Sequence, residues 1–206
     1  MLEVNNLQCS RGGHRLFSGK SFNLEPATLA WIRGRNGSGK TTLLRTLSGL
    51  SPWDEGEVCW RGRNIRKQAE EFRRDLVFMG HAIALKEDLS PVENLRIIMH
   101  IAGRAVTTPE ALAALATVGL RGREHLSVKY LSQGQKRRVH MARLKLSQDA
   151  PLWLLDEPLT ALDTEGVSAL KNLLEEYLHR AGIVIMTSHQ EINVASTHTL
   201  HIHLPA

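Results

Sequence analysis

A glycine-rich segment at positions 34–41 carries the residue types that bind phosphate groups. It matches the pattern G-x-x-x-x-G-K-[ST] at every fixed position. Its glycines let the backbone wrap closely around phosphate oxygens, and N–H groups of the loop and of the following helix supply partial positive charge. We predict that Lys40 reaches the β- and γ-phosphates of a nucleoside triphosphate and that the Thr41 hydroxyl holds Mg²⁺. The residues predicted to line this site are Gly34, Arg35, Asn36, Gly37, Ser38, Gly39, Lys40, Thr41 and Thr42.

The segments on either side of this loop have the patterns of a strand and a helix. Residues 29–32 form a short apolar run that indicates a strand, and residues 42–47 indicate a helix that ends at Gly49. This strand–loop–helix context distinguishes a phosphate loop from an ordinary glycine-rich turn. The sequence therefore predicts a protein that binds a nucleoside triphosphate.

Two adjacent carboxylates, Asp156 and Glu157, follow a continuous apolar run at 152–155. Such a run is typical of a parallel strand covered on both faces, and open α/β sheets bind ligands at the carboxyl ends of their strands. We predict that Asp156 belongs to the Mg²⁺ shell, through a water molecule, and that Glu157 orients or deprotonates the water that attacks the γ-phosphate. An acidic turn after a strand is common, so the pair alone is weak evidence for a nucleotide site. It becomes strong evidence because a phosphate loop precedes it in the chain.

Composition and charge exclude several classes of protein. At 206 residues and 23.0 kDa, the chain can form one good core and a smaller subdomain. Its apolar runs are far shorter than the roughly 20 residues that cross a bilayer, and its first residues lack the features of a signal peptide, so we expect a cytoplasmic location. Cys9 and Cys59 lack metal-ligand spacing and are interpreted as reduced structural thiols.

The net charge of +5 could indicate a nucleic acid or an acidic membrane surface as partner. Two small basic clusters, at 61–66 and 136–138, lack the interleaved aromatic residues that stack on bases. We interpret the charge mainly as a solvated surface that helps to bind nucleotide and acidic lipid headgroups, and we expect no nucleic-acid partner.

Patterns along the chain predict an α/β fold that is interrupted by helices. The stretch 82–148 predicts helices without intervening strands, which start at capping residues such as Ser90 and Ser132. We expect a single domain, with 1–81 and 149–206 as a nucleotide-binding core and 82–148 as a helical subdomain. The predicted strands are 2–7, 21–24, 29–32, 57–60, 76–79, 152–155, 183–187 and 199–204, and the predicted helices are 42–47, 67–74, 91–102, 108–119, 132–146 and 164–180, the last broken by Gly182.

The segment 131–135, Leu-Ser-Gln-Gly-Gln, resembles the signature of the ATP-binding-cassette (ABC) family, usually written LSGGQ. Gln133 stands where the first glycine usually is, so the local backbone can differ there. Ser132 and Gly134 remain, and they begin a helix whose N–H groups can bind phosphate. The resemblance covers essentially the whole chain and includes Asp156-Glu157-Pro158, Ala161-Leu162-Asp163 and Thr187-Ser188-His189.

This resemblance implies the fold of an ABC cassette, a P-loop NTPase with a mixed sheet core, an N-terminal antiparallel β subdomain and an inserted helical subdomain. It implies ATP and Mg²⁺ as cofactors and His189 as the switch histidine that contacts the γ-phosphate. It also implies that two cassettes pack head to tail as an ATP-dependent homodimer, so that Ser132, Gly134 and Gln135 serve the partner's nucleotide. The physical reason is that one chain supplies N–H groups on only one side of the triphosphate, and a second chain closes the site against water.

Two positions depart from the family pattern. His81 stands where a glutamine usually lines the Mg²⁺ site; its imidazole can still form a hydrogen bond there, with added pH sensitivity. The aromatic residue that usually stacks on adenine is missing. Arg11 falls near that place and its guanidinium plane can stack on a base, with Phe17 as the weaker alternative. Weak stacking would relax the preference for ATP over GTP.

Several stretches resemble, more narrowly, the ATP-binding subunits of bacterial haem exporters in cytochrome c maturation. That resemblance implies an ATP hydrolase that acts as a translocase at the cytoplasmic face of the inner membrane, with integral-membrane partners that dock near 82–100. Hydrolysis would power haem handling and release of the haem-loaded chaperone, with haem held by the partner subunits. His201 and His203 share one face of a strand, but we interpret them as surface histidines rather than haem ligands. The stretches that carry the resemblance are 16–19, 79–81, 89–95 and 182–190.

Three alternatives stay open at this point. The first is the cassette of another small-molecule transporter. The second is a soluble cassette that acts on ribosomes or DNA, although such proteins usually carry two cassettes or long coiled-coil insertions. The third is a regulatory module that binds nucleotide without hydrolysis, which the presence of Lys40, Glu157 and His189 disfavours.

Overall fold

The computed structural model describes residues 1–205, which form two β-sheets and six α-helices. Among these residues, no helix has both the length and the apolar composition that spanning a bilayer requires. The strands are β1 (Leu2–Arg11), β2 (His14–Leu24), β3 (Thr28–Arg33), β4 (Glu55–Trp60), β5 (Arg63–Asn64), β6 (Leu76–Met79), β7 (Leu152–Asp156), β8 (Ile183–Thr187) and β9 (His198–His203). The helices are α1 (Lys40–Leu47), α2 (Ala69–Arg74), α3 (Pro91–Ile101), α4 (Thr108–Thr117), α5 (Gln133–Lys145) and α6 (Thr164–His179).

The two sheets differ in strand direction. Four strands in the order β2-β1-β4-β5 form an antiparallel sheet, and five in the order β6-β7-β8-β3-β9 form a parallel one. The antiparallel and parallel strands predicted from the sequence thus lie in separate sheets. Each predicted strand is present, and β1 and β2 are longer than predicted because a tight turn at Gly12 and Gly13 pairs them as one hairpin.

The register of the parallel sheet brings distant motifs to one edge. Asp156 lies beside Thr187 on the neighbouring strand, and Thr187 lies beside Ile32 of β3. Because parallel strands all end at the same edge, the loops that follow β3, β6, β7 and β8 start there together. These are the loops that contain the phosphate loop, His81, Glu157 and His189.

The helical stretch packs onto one face of the parallel sheet. Helices α3, α4 and α5 each begin with a capping box, at Ser90, Thr107 and Ser132. Their buried apolar residues, such as Met99 and Met141, belong to the same hydrophobic cluster as Trp153 of β7. One core therefore joins the helices to the sheet, and the subdomain boundaries at 82 and 148 stay a prediction.

The prediction that Gly182 breaks the last helix needs a correction. Helix α6 ends at His179, and Ala181 is the residue that adopts a left-handed φ of 61°. Gly182 is required for a different reason: a Cβ there would lie 2.3 Å from the ring of Tyr177. That ring stacks on Trp153 with the centroids 3.6 Å apart, so Gly182 makes room for an aromatic pair in the core.

The interpretation of residues 136–138 as a solvated basic cluster is wrong for two of the three. Arg137 is 2% exposed and Arg138 is 4% exposed. The Arg138 guanidinium forms ion pairs with Asp163 and Glu165, whose negative charges raise its pKa against the effect of burial. The buried charge of Arg138 is thus compensated by two carboxylate partners, as burial of a charge requires.

His140, buried on α5, makes stability depend on pH. Burial and the charges of Arg143 and Arg137 lower its pKa from 6.5 to about 3, and its Nδ1 has no hydrogen-bond partner. The unfolded chain therefore binds a proton below pH 6.5 that the folded chain does not, so stability is present above pH 6.5 and is lost as pH falls. At pH 5 we expect this group to lower the free energy of unfolding by about 2 kcal/mol relative to pH 8.

The variant His140→Met tests this expectation, because an apolar side chain of similar length binds no proton in either state. Urea unfolding at pH 5 and pH 8 measures the loss for both proteins. The variant should lose less stability on acidification than the parent chain. Equal losses would show that other groups cause the pH dependence.

Candidate functional site

The phosphate loop follows β3 and ends where α1 begins, at Lys40. Gly37 and Gly39 adopt left-handed φ angles of 82° and 95°, a region that favours glycine. A Cβ at Gly34 would lie 2.4 Å from Ser38 Oγ, so that position also excludes a side chain. The loop geometry therefore explains both fixed glycines of the motif, Gly34 and Gly39, and the additional glycine at position 37.

The ammonium group of Lys40 lies against the loop itself. Its Nζ donates to the carbonyls of Gly34 at 2.9 Å and Arg35 at 3.1 Å, and the side chain is buried. The positive charge is therefore held inside the loop, beside the N-terminus of α1.

Asp156 connects the phosphate loop to the centre of the sheet. Its Oδ1 accepts from Thr41 Oγ1 at 3.2 Å and from Thr187 Oγ1 at 2.8 Å. The side chain is 1% exposed, and its Oδ2 has no hydrogen-bond partner. A buried carboxylate oxygen without a donor is costly, and carboxylate and hydroxyl oxygens are ligands that suit Mg²⁺. Thr41 and Asp156 therefore fit a magnesium ion at this position.

Glu157 and His189 come together next to Asp156. The Nε2 atom of His189 lies 3.5 Å from Glu157 Oε1, which is itself buried and without a hydrogen-bond donor. Glu157 has a left-handed φ of 50°, and its N–H donates to Thr187 Oγ1 at 2.8 Å. The predicted general base and switch histidine are thus adjacent, at the edge that also holds the phosphate loop.

Arg137 is a residue of this region that the sequence interpretation missed. Its Nη1 donates to the carbonyl of His81 at 3.0 Å, and its Nη2 donates to the carbonyl of Glu157. A signal was present in the helical spacing, because 137, 141 and 144 lie on one face of α5 and the other two are the apolar residues Met141 and Leu144. That spacing indicates burial, which the run of basic residues obscured.

The backbone of His81 is hydrogen-bonded to a residue of the site. Its carbonyl accepts from Arg137, while the residue as a whole is exposed. Within residues 1–205, no three His, Cys, Asp or Glu side chains cluster in a way that could hold a metal. A role for the His81 ring near Mg²⁺ stays a prediction.

The signature segment begins α5 at the surface. Ser132 Oγ accepts from the Gln135 N–H at 3.2 Å, and Gln135 Oε1 accepts from the Ser132 N–H at 3.0 Å. A Cβ at Gly134 would lie 2.7 Å from the carbonyl oxygen of Ala161, so this glycine permits close contact with the loop after β7. Gln133 is exposed, which explains how a large side chain is accommodated where the signature usually has glycine.

The two candidates for adenine stacking differ in accessibility. The ring of Phe17 is 1% exposed and offers no free face. Arg11 donates to the carbonyls of Ser10 at 2.8 Å and Pro52 at 2.7 Å. The Arg11 guanidinium thus has backbone partners already, and its stacking on a base stays a prediction.

Together, the parallel sheet, the phosphate loop and the signature helix define an ATP-binding cassette. The sequence matches the ABC transporter family over residues 17–160. The chain belongs to this family.

Within the family, the chain is similar to proteins called cytochrome c biogenesis ATP-binding export protein CcmA. It is 50% identical to the Dechloromonas aromatica protein over 194 residues, which cover 94% of this chain and 95% of the relative. Its identity to the Nitrosomonas europaea protein is 50%, with 98% and 93% covered. Its identity to the Pseudomonas aeruginosa protein is 46%, with 98% and 99% covered. Within the ABC transporter family, the chain belongs to this group.

Solved structures confirm the predicted fold. A putative ABC transporter ATP-binding protein from Pyrococcus furiosus superposes with a TM-score of 0.83 at 26% identity, and the match covers 98% of this chain and 96% of that one. A bacterial ABC transporter cassette described as dimeric superposes with a TM-score of 0.82 at 24% identity, covering 98% and 94%. The latter likeness concerns the fold alone.

Proposed function

We propose that this chain is the ATP-hydrolysing subunit of an ABC exporter for cytochrome c biogenesis, and that the exporter complex handles haem. The ATPase assignment rests above all on Asp156, whose Oδ1 is bonded to Thr41 of the phosphate loop while Oδ2 is buried without a donor. The assignment to cytochrome c biogenesis rests on relatives of that description at 45–50% identity. Haem is the group that c-type cytochromes carry covalently, which makes it the cargo we infer.

In this proposal each residue of the site has a chemical task. Lys40 and the N–H groups of residues 34–41 bind the β- and γ-phosphates of ATP. Thr41 and, through a water molecule, Asp156 would hold Mg²⁺, which would neutralise charge on the phosphate oxygens. Glu157 orients the attacking water and accepts its proton, and His189 contacts the γ-phosphate.

We further propose that two copies of the chain form the complete site. Ser132, Gly134 and Gln135 at the start of α5 would bind the nucleotide held by the other copy's phosphate loop. One solved cassette of the same fold is described as dimeric. Closure by a second copy would exclude water other than the attacking one.

We also propose a position at the cytoplasmic face of the bacterial inner membrane, beside integral-membrane subunits of the exporter. The surface at 82–100 is the proposed docking place for them. Ile97, on the outer side of α3 in this segment, is 43% exposed, and Ala82 and Ala84 are exposed as well. Exposed apolar residues such as these are what a helix from a partner subunit would cover.

Cells that carry the Lys40→Ala variant in place of the parent chain test the cargo. We expect covalent haem in their c-type cytochromes to be lost, because the complex would lack its energy source. A matched control is Lys171→Ala, which removes a lysine from α6 that forms an ion pair with Glu175 in the next turn. Normal cytochrome c assembly in the Lys40→Ala cells, with ATP hydrolysis abolished, would assign the chain to another small-molecule transporter.

A further inference from the structure

We propose that Arg137 is a positioning residue that holds Glu157 in its hydrolytic orientation and couples it to the signature helix. This inference rests on the proposed function, since it presupposes that Glu157 is the general base. Arg137 lies outside the phosphate loop, outside the pair Asp156-Glu157 and outside the segment 131–135.

The backbone of Glu157 is fixed on both sides by hydrogen bonds. Its φ of 50° lies in a region that residues with a side chain rarely occupy. The N–H of Glu157 donates to Thr187 Oγ1 at 2.8 Å, and its carbonyl accepts from Arg137 Nη2. Because this unusual backbone conformation determines where the carboxylate points, the two hydrogen bonds position the base.

The same guanidinium also reaches the neighbouring strand end. Arg137 Nη1 donates to the carbonyl of His81 at 3.0 Å, so one side chain from α5 bridges the loops after β6 and β7. Burial lowers the pKa of Arg137, and the charges of Asp156 and Glu157 oppose that effect. The arginine therefore lies in the field of both carboxylates without forming a salt bridge to either, which suits a group that orients the backbone.

Helix α5 contacts the loop after Glu157 at two further points. Gly134 packs against the carbonyl of Ala161, and Arg138 forms an ion pair with Asp163. Residues 157–163 are thus bound to α5 near both ends and in between. The start of α5 would bind the partner's nucleotide. Arg137 would then transmit the position of that helix to Glu157 of the same chain. Each copy would then hydrolyse ATP only when its signature helix is correctly engaged.

The steady-state kinetics of Arg137→Gln and Arg137→Lys test this role. For Arg137→Gln we expect kcat to fall roughly ten- to a hundredfold, as for a displaced catalytic group, with KM for ATP changed less than about twofold. For Arg137→Lys we expect an intermediate kcat, because an ammonium group can reach one carbonyl but cannot bridge two. Arg143→Gln is the matched control, since it removes an arginine from the last turn of α5, whose buried Nε has no hydrogen-bond partner.

A double-mutant cycle with Glu157→Gln separates positioning from a general loss of structure. If Arg137 acts through Glu157, Arg137→Gln should change the residual rate of the Glu157→Gln chain less than about twofold. An equal fall in both backgrounds, or a loss of kcat as large in Arg143→Gln, would overturn the proposal. Full activity of Arg137→Gln beside an inactive Glu157→Gln would refute only the role of Arg137. Nearly normal hydrolysis by Glu157→Gln would refute the assignment of the base itself, and the coupling with it.

Discussion

Replacement of Lys40 by alanine is expected to weaken ATP binding by orders of magnitude and, as a result, to abolish hydrolysis. The ammonium group lies inside the phosphate loop, where it donates to the carbonyls of Gly34 and Arg35. In the complex those donors would instead form charge-assisted hydrogen bonds with phosphate oxygens, each contributing about 1.5–3 kcal/mol. Loss of two such bonds weakens binding by roughly two to four orders of magnitude.

Titration with a fluorescent ATP analogue measures this effect directly. Lys171→Ala serves as the control here as well, because it alters the same residue type on α6. A thermal melt of each variant without nucleotide shows whether the protein stays folded when the carbonyls of Gly34 and Arg35 lose their donor. A Lys40→Ala chain that is folded and binds nucleotide as tightly as the parent would refute the phosphate site.

Replacement of Glu157 by glutamine is expected to separate binding from hydrolysis. Glutamine has nearly the same shape and keeps the hydrogen bond from the backbone N–H to Thr187, but its amide cannot accept a proton from water. General-base catalysis typically contributes 10²–10⁴-fold, and we expect kcat to fall by about that factor while ATP remains bound. The uncleaved ATP should then stabilise the closed pair of cassettes.

Single-turnover hydrolysis and size-exclusion chromatography in MgATP measure the two effects. Glu176→Gln is a suitable control, because it changes a carboxylate on α6 that pairs with Lys145. Hydrolysis near the parent rate would place the base elsewhere. A Glu157→Gln chain that stays monomeric at saturating MgATP, with its membrane partners present, would exclude the two-copy site.

The elements of this fold were largely predictable because their determinants are local. The capping boxes at Ser90 and Ser132 each lie within four residues, and the helices begin where these residues predict. The two-residue strand β5 was not predicted, since its pairing with β4 depends on neighbours rather than on its own pattern.

The candidate site divides in the same way between local motifs and tertiary contacts. By itself, the sequence determined the class of protein, the phosphate loop, the acidic pair Asp156-Glu157 and the signature segment, because the chemistry of each is contained in a few consecutive residues. Only the tertiary structure decided that Thr187 binds both Asp156 and Glu157, and that Arg137 joins Glu157 to His81. These contacts connect residues that are 20 to 56 positions apart. They depend on which strands lie side by side and on which face of α5 is covered, and no short stretch of sequence contains that information.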